Sequence, residues 1–370
     1  MKRLAEILQK CPMDDRFSIR TGLTLERLRD IQRGSSATVG EAEKIAKALK
    51  IDLRELASAS TSTGQIDFFF RDAQHKSDFM VATKLSSRIA SSIKLLPERD
   101  IAGPWWLGQF RKDELNFETA EENARAFRRL FANDDQLGPL LRLPEITVNT
   151  MGVLLFLIGS ERIDGASTFV DGIPYIFLAN RFAPRMLFTL AHELGHLIVQ
   201  SDTRTPALNV DTIVERKKSA NNIIEFYAHC FASSLLMPSR GVGITLQQIR
   251  VHNKSEGQEL GDLEISFLAR IYGVSFYVAA RRCEDLKLLP RGGAASLEHA
   301  LRKKFGSAEK RGELANLPPR PELSFPTIPE PLLISAFEKI KAGDISIGKA
   351  SEALGISVLD LLKVNAPAIN

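Results

Sequence analysis

The stretch FTLAHELGHLIVQ at 188–200 constrains the fold more than any other part of the chain. Its apolar residues surround His192, Glu193 and His196, so a helix here would be buried on most sides. Buried polar groups need partners, and residues four apart on a helix share one face, where two imidazoles can hold one metal ion. The stretch therefore predicts a core helix that carries a metal site.

The HExxH spacing also predicts the chemistry of that site. Zn²⁺ binds imidazole nitrogens at about 2.0–2.1 Å, and Glu193 stands beside the metal without being needed as a ligand. A carboxylate in that place can act as the general base toward a water molecule that the metal acidifies, which indicates amide hydrolysis. Chance occurrence on a surface helix is disfavoured, because the chain has only 6 histidines and the surroundings of this pair are apolar.

A catalytic zinc site needs a third protein ligand and one open position. The next predicted helix, 221–238, contains the single carboxylate Glu225 among apolar residues, which makes Glu225 the candidate. His229 lies four residues later on the same face; it is a candidate ligand, a partner of a ligand, an oxyanion donor, or a core histidine bonded to a backbone carbonyl. Tyr175 and Tyr227 are the other candidate oxyanion donors.

Two blocks of this region resemble a known family. The run RMLFTLAHELGH, followed downstream by E-x-x-A-x-x-F-A-x-x-L-L-M-P, resembles the ImmA/IrrE family of bacterial metallopeptidases. DGAS at 164–167 and PYIFLAN at 174–180 resemble the strands that precede the metal helix of that family.

The resemblance implies a zincin-like α+β fold and a specific set of site residues. His192, His196 and Glu225 would bind Zn²⁺, and Glu193 would be the base. One position departs from the family, which often has Asn or Asp where this chain has His229.

The first 58 residues have the pattern of a small helical domain. Thr24 is a predicted helix cap, and Leu25, Leu28 and Ile31 form the apolar side of a helix that stops at Gly34. TGLTLERLRDIQRG with KIAKALKI resembles the phage-repressor-like helix-turn-helix family over 1–58.

That resemblance implies that the helix Thr24 to Arg33 enters the major groove of double-stranded DNA. The alternative is a module for protein contact, since Glu26 and Asp30 lie in the same helix. The candidate base or phosphate contacts are Thr24, Leu25, Arg27 and Arg29, with Arg20 and Arg33 neutralising backbone charge.

Composition and spacing predict the organisation of the rest. Arg281 and Arg282 could serve DNA, but we favour a solvated helix face for them. In the C-terminal tail, Ser346 and Ser357 are predicted helix caps. The tail lacks arginines and indicates protein contact or dimerisation. The predicted segments are a linker at 59–77, a metallopeptidase domain at 78–289 with its metal core at 150–240 and a helix-turn-helix-like pair at 264–288, a Pro-rich connector at 290–331 and a small helical tail at 332–370.

Several protein classes are disfavoured by composition. The 3 cysteines lie far apart and outside any CxxC, which is typical of a reduced compartment. No apolar stretch follows the charged N-terminus, and the longest apolar run, Met151 to Ile158, is too short to span a membrane. We therefore expect a soluble, cytoplasmic protein. A net charge of +4 permits nucleic-acid binding without establishing it.

Together these patterns predict a multidomain regulator, with an all-α helix-turn-helix domain joined to an α+β zincin-like metallopeptidase domain with helical C-terminal segments. By resemblance, its substrate would be another regulatory protein, such as a helix-turn-helix repressor controlling stress or mobile-element genes. Two rivals stay open: a repressor or antitoxin whose peptidase fold is a sensor with closed structural zinc, and a scaffold without metal. The intact Glu193 argues against both.

Overall fold

The structure is a computed structural model. It describes residues 4, 8, 13–49 except 36, 85, 88–96, 103–159 except 134, 163–200, 209–212, 222–253 and 259–363. The chain divides into two compact units, Met1–Ala90 and Ser91–Asn370. The predicted linker at 59–77 lies outside the described residues.

The first unit contains the helices α1 (Asp15–Thr21), α2 (Leu25–Gln32) and α3 (Val39–Leu49). The turn between α1 and α2 passes through Gly22, whose φ of 62° lies in the left-handed region that glycine adopts without strain. The predicted cap at Thr24 is confirmed, because its hydroxyl accepts a hydrogen bond from the Arg27 amide at 3.2 Å. The helices enclose a core that includes Phe17, Leu28, Ile31 and Ile45.

The second unit contains a mixed four-stranded sheet with the order β1-β3-β2-β4. Its strands are β1 (Leu154–Ile158), β2 (Ile163–Val170), β3 (Ile173–Ala179) and β4 (Asn209–Thr212). β1 runs parallel to β3, whereas β2 is antiparallel to both β3 and β4. Asp171 and Gly172, both at positive φ, close the tight hairpin between β2 and β3. The strands predicted from 164–167 and 174–180 are confirmed.

Helices cover one face of this sheet. α4 (Phe117–Phe131), α5 (Ala183–Val199) and α6 (Asn222–Leu236) come next. α5 packs on β2 and β3, and α6 packs against both α5 and α4. Side chains from all of these elements share one core, including Phe127, Ile176, Leu178, Leu190, Leu194 and Phe231.

Paired tryptophans precede α4 in a short 3₁₀ turn, Trp105–Gln109. Trp106 is fully buried, and its indole nitrogen donates to the carbonyl of Met151 at 2.9 Å. Trp106 therefore fills the core and orders the chain just before β1.

The helical pair predicted at 264–288 is present. After α7 (Ser239–Asn253), the chain forms α8 (Asp262–Ile271) and α9 (Phe276–Asp285). Gly273 turns between them at a φ of 68°, and the Ser275 hydroxyl accepts from the Val278 amide at 3.3 Å. In the described part of the chain no single helix has the length and apolar character to cross a membrane; α8 and α9, bent by 107°, meet that test only as a pair.

The predicted exposed connector at 290–331 is wrong over most of its N-terminal half, where α10 (Gly293–Phe305) and α11 (Ala308–Leu314) form. Leu297, Leu301 and Phe305 repeat every four residues and pack on the main core. The Pro and Gly content of the whole interval obscured this local helical spacing. Helix is absent from 316–329, in the proline-rich half.

The tail contains α12 (Glu330–Ala342), α13 (Ile347–Leu354) and α14 (Val358–Lys363). The predicted caps are confirmed: the hydroxyl of Ser346 accepts from the Lys349 amide at 3.3 Å, and that of Ser357 from the Asp360 amide at 3.0 Å. Gly355 ends α13 at a φ of 67°.

Candidate metal centre

The two motif histidines project from one face of α5. They are one turn apart, and their Nε2 atoms lie 3.1 Å from each other. Both side chains are buried, because α5 is covered by the sheet on one side and by α6 on the other. α5 is hydrophobic on most sides, and it lies in the core as its sequence predicts.

Glu225, in the first turn of α6, completes a three-residue group. Its Oε2 lies 3.3 Å from His192 Nε2, and its Oε1 lies 3.2 Å from His196 Nε2. The imidazoles are 8% and 2% exposed, whereas the Glu225 side chain is 46% exposed. Solvent therefore reaches the group on the Glu225 side. Among the described residues, this is the one cluster of His, Cys, Asp or Glu whose ligand atoms converge as a metal site requires.

The donor set fits zinc. Tetrahedral Zn²⁺ with ligands at about 2.0–2.2 Å holds neighbouring ligand atoms roughly 3.3 Å apart. The two imidazole Nε2 atoms lie 3.1 Å apart, and those of His192 and His196 lie 3.3 Å from Glu225 Oε2 and 3.2 Å from Glu225 Oε1, respectively. Two imidazoles and one carboxylate are a ligand set of catalytic zinc sites, and they leave one tetrahedral position for another group.

The charge of Glu225 also suits a ligand. Partial burial raises the pKa of its carboxyl, but hydrogen bonds and charge interactions with His192 and His196 lower it by more, so the net pKa lies well below its usual range. The carboxyl is therefore ionised at neutral pH.

Glu193 is fully buried on the side of α5 that faces β2. It follows His192 by one residue and precedes His196 by three, so its side chain leaves the helix beside the histidine face. It is separate from the ligand group of His192, His196 and Glu225. This is the placement expected of a base that does not bind the metal.

Two of the candidate oxyanion donors lie elsewhere. Tyr175 stacks with Phe156 and Phe177 on the sheet face opposite α5, and its hydroxyl accepts from Ser92 at 3.3 Å. Tyr227 points toward α4, where its hydroxyl accepts from Asn123 at 2.7 Å. The structure therefore brings neither tyrosine to the metal group.

His229 stays close to the site. Its ring lies edge-on to Phe188 at a centroid distance of 5.1 Å, and Phe188 also contacts His192. His229 is half-buried and outside the converging ligand group. Of the three candidate donors, it is the one whose surroundings are continuous with the metal site.

Two buried arginines bind carbonyl groups at the C-terminal end of α6, the helix that carries Glu225, and sequence reasoning missed this role. Arg128 donates to the carbonyl of Leu235 at 2.8 Å, and Arg282 donates to that of Met237 at 2.8 Å. Cations at a helix C-terminus satisfy its last carbonyls and complement its dipole. For Arg282, which is 0% exposed and paired with Glu121, both predicted roles, DNA contact and solvated face, are wrong. In the sequence, Arg282 lies next to apolar residues of the same predicted helix, and this position indicates burial.

The residues predicted to contact DNA all fall on or beside α1 and α2. Thr24, Arg29 and Arg33 are exposed, and Leu25 is half-exposed. Arg20 donates to the carbonyl of Ala48, and Arg27 forms a two-pronged pair with Glu41. The side chains of Thr24, Leu25, Arg29 and Arg33 are therefore accessible to a ligand. Arg20 and Arg27 also join helices within the unit.

Comparison with known proteins agrees with the geometry of the second unit. Residues 148–284 match the family model described as the IrrE N-terminal-like domain, peptidase family M78. The match runs from just before β1 to the end of α9 and includes the whole metal group. No curated protein shows significant similarity to this chain.

Proposed function

We propose that the Ser91–Asn370 unit is a zinc-dependent endopeptidase. The observation that carries this proposal is the convergence of His192, His196 and Glu225 from two helices, with Glu193 buried beside them. The match of this region to a metallopeptidase family supports it. Zinc held by the three ligands would supply a Lewis acid that polarises a substrate carbonyl and acidifies water.

In this proposal each of the four site residues has one role. Glu193 accepts a proton from the attacking water and returns it to the nitrogen of the leaving amine. Its burial removes competing solvent, which strengthens the electrostatic interactions of the carboxylate. His192 and His196 fix the geometry from the core. Glu225 balances charge at the open side of the site, where a peptide can enter.

The number of ligands favours an enzyme over a closed structural site. A structural zinc site has four protein ligands, whereas a catalytic one has three and an open position. The described residues supply three. The sensor or antitoxin alternative, in which zinc is structural, has no fourth ligand in this part of the chain to support it.

We further propose that the first unit binds double-stranded DNA and that the substrate is a partner regulatory protein. The arrangement of α1, a glycine turn and α2, with exposed Arg29 and Arg33, supports the DNA part. Coupling of a DNA-binding unit to a peptidase would place proteolysis under the same control as transcription. The substrate part rests on the resemblance to regulatory peptidases.

Metal analysis of the purified chain tests the site. We expect about one Zn²⁺ per chain, loss of zinc in His192→Ala, His196→Ala and Glu225→Ala, and retention in Glu193→Gln, because only the first three remove a ligand. Retained zinc in Glu225→Ala would exclude Glu225 as a ligand. Loss of zinc in His229→Ala as complete as in His192→Ala would show either that His229 is the third ligand in place of Glu225 or that the site has four ligands, which would favour the sensor alternative.

Catalysis is tested by Glu193→Gln in cells that contain the natural partner. The amide cannot accept a proton from water, so we expect cleavage to stop while fold, zinc and partner binding remain. The variant should therefore co-purify with uncleaved substrate. A cellular output that requires zinc but is unchanged in Glu193→Gln would contradict the peptidase proposal.

A further inference from the structure

We propose that Gly165, in strand β2, is a positioning residue for Glu193. The missing side chain at Gly165 provides the space in which the Glu193 carboxylate lies between α5 and the sheet. This role rests on the proposed function of Glu193 as the base. It assigns to the sheet a task beyond supporting the metal helix, namely holding the base in place.

The space beside Gly165 is already filled. A Cβ atom at this position would lie 2.7 Å from Glu193 Oε1, 3.0 Å from Glu193 Cγ and 2.6 Å from Thr189 Cγ2. Carbon atoms in favourable contact are about 3.5–4.0 Å apart, so any side chain here requires a displacement. The backbone of Gly165 is not among the positive-φ glycines. Glycine is therefore required at this position by space and not by backbone conformation.

Strand β2 is paired on both edges at Gly165, with an irregularity in the β4 ladder between Ile163 and Gly165. Gly165 pairs with Leu178 of β3 on one side and with Asp211 of β4 on the other. The preceding residue, Asp164, is buried and forms ion pairs with Arg181, at 3.4 Å, and with Arg185 in the first turn of α5. These contacts tie β2 to the start of α5. A side chain at 165 would therefore displace Glu193 and Thr189 more easily than the strand.

The metal ligands are not among the three atoms nearest to a Cβ at 165. The three nearest atoms belong to Glu193 and Thr189, whereas His192 and His196 point from α5 toward Glu225 on α6. We therefore expect Gly165→Ala to displace the Glu193 carboxylate while His192, His196 and Glu225 keep their positions as zinc ligands.

The test uses the full-length zinc protein and acetohydroxamate, a small chelator that gives up a proton on binding zinc and, once bound, donates a hydrogen bond to a nearby carboxylate. Its affinity therefore depends on the base without requiring the natural substrate. We expect Gly165→Ala to retain zinc and to bind acetohydroxamate about tenfold to hundredfold more weakly, the range for loss of a hydrogen bond to a charged group. Gly159→Ala is the matched control, since a Cβ there meets nothing within 4 Å.

A double-variant cycle separates positioning from general damage. If Gly165 acts through Glu193, adding Gly165→Ala to Glu193→Gln should weaken binding of acetohydroxamate no further than Glu193→Gln alone. Additive losses, or loss of zinc from Gly165→Ala, would overturn the positioning role. Should Gly165→Ala fail to fold, the Thr189→Ser background removes the methyl group at 2.6 Å and leaves the Glu193 contact to be tested.

The same measurements distinguish this role from the function on which it rests. Unchanged acetohydroxamate affinity in Glu193→Gln would contradict Glu193 as the base, and with it the role of Gly165. Weakened affinity in Glu193→Gln together with unchanged affinity in Gly165→Ala would contradict the positioning role alone.

Discussion

Arg27 illustrates how a charge in a predicted DNA-reading helix is used within the fold. Its Nε and Nη2 donate to the two carboxylate oxygens of Glu41 at 2.8 and 3.0 Å, joining α2 to α3. Thr38 donates to the same carboxylate from its backbone at 2.8 Å. The hydrogen bonds from Arg27 and Thr38 lower the pKa of Glu41 to about 2. A bidentate ion pair of this kind restricts the orientation of the guanidinium group.

Titration of Glu41 tests this pair. Because its folded-state pKa is below the ordinary 4.5, its contribution to stability should be present above pH 4.5 and lost as the pH falls toward 2. We expect Arg27→Gln to return the pKa of Glu41 toward 4.5, measured by NMR of the side-chain carboxyl carbon. Arg29→Gln, on the same helix, is the control. An unchanged pKa in Arg27→Gln would show that the pair does not form in solution.

At the scale of elements, the distance between α5 and α6 decides whether the ligand atoms on the two helices are close enough to bind one metal ion. Gly195 lies where the two helices meet, and a Cβ there would be 3.0 Å from Ala228 Cα and 3.2 Å from Phe231 Cδ1. Both histidines belong to α5 and Glu225 belongs to α6. Separation of the helices would therefore separate the ligands.

We predict that Gly195→Ala weakens zinc binding about 10- to 100-fold, the range seen when residues that support metal ligands are lost. Chelator competition measures the affinity. Gly243→Ala on α7 is the matched helical control, because a Cβ there meets nothing within 4 Å. Wild-type affinity in Gly195→Ala would show that the helices adjust without moving Glu225.

The opposite end of α6 provides a second prediction for this element. Arg128→Met should leave the carbonyls of Leu235 and Leu236 without their donor and lower the stability of the unit by about 3 kcal/mol. Chemical denaturation of the zinc-free protein measures this change. Arg129→Met, one residue along α4 and exposed, should have little effect. Equal stability of the two variants would exclude the capping role of Arg128.

At the scale of the whole molecule, the two compact units permit two separable activities. We expect the full chain to bind promoter DNA with an affinity that falls steeply with salt. Arg29→Ala and Arg33→Ala should each reduce the slope of the logarithmic salt dependence by about one, if each contacts a phosphate. Fluorescence anisotropy at several salt concentrations provides the slopes.

Deletion of residues 1–58 should abolish promoter occupancy and leave zinc binding unchanged, because the metal ligands all lie in the second unit. Chromatin precipitation and metal analysis measure the two outcomes. Promoter occupancy that survives the deletion would assign the first unit to protein contact.

The strands before the metal helix were predicted from the family resemblance. Local patterns in the sequence were sufficient for the helix that carries His192 and His196 and for the caps at Thr24, Ser346 and Ser357. Each of these depends on residue spacing or on hydrogen bonds between near neighbours in the chain. The same reasoning missed α10 and α11, because an average of composition over 290–331 concealed a short apolar repeat.

Only the tertiary structure decided which groups meet. It places Glu225 of α6 within 3.3 Å of His192, directs Tyr175 and Tyr227 away from the metal group, and packs Gly165 against Glu193. Periodicity determines the face on which a side chain lies, but the distance between two faces depends on how closely the elements pack. At the α5–α6 and α5–β2 contacts that distance is set by glycines, whose spatial role is visible only when their neighbours are known.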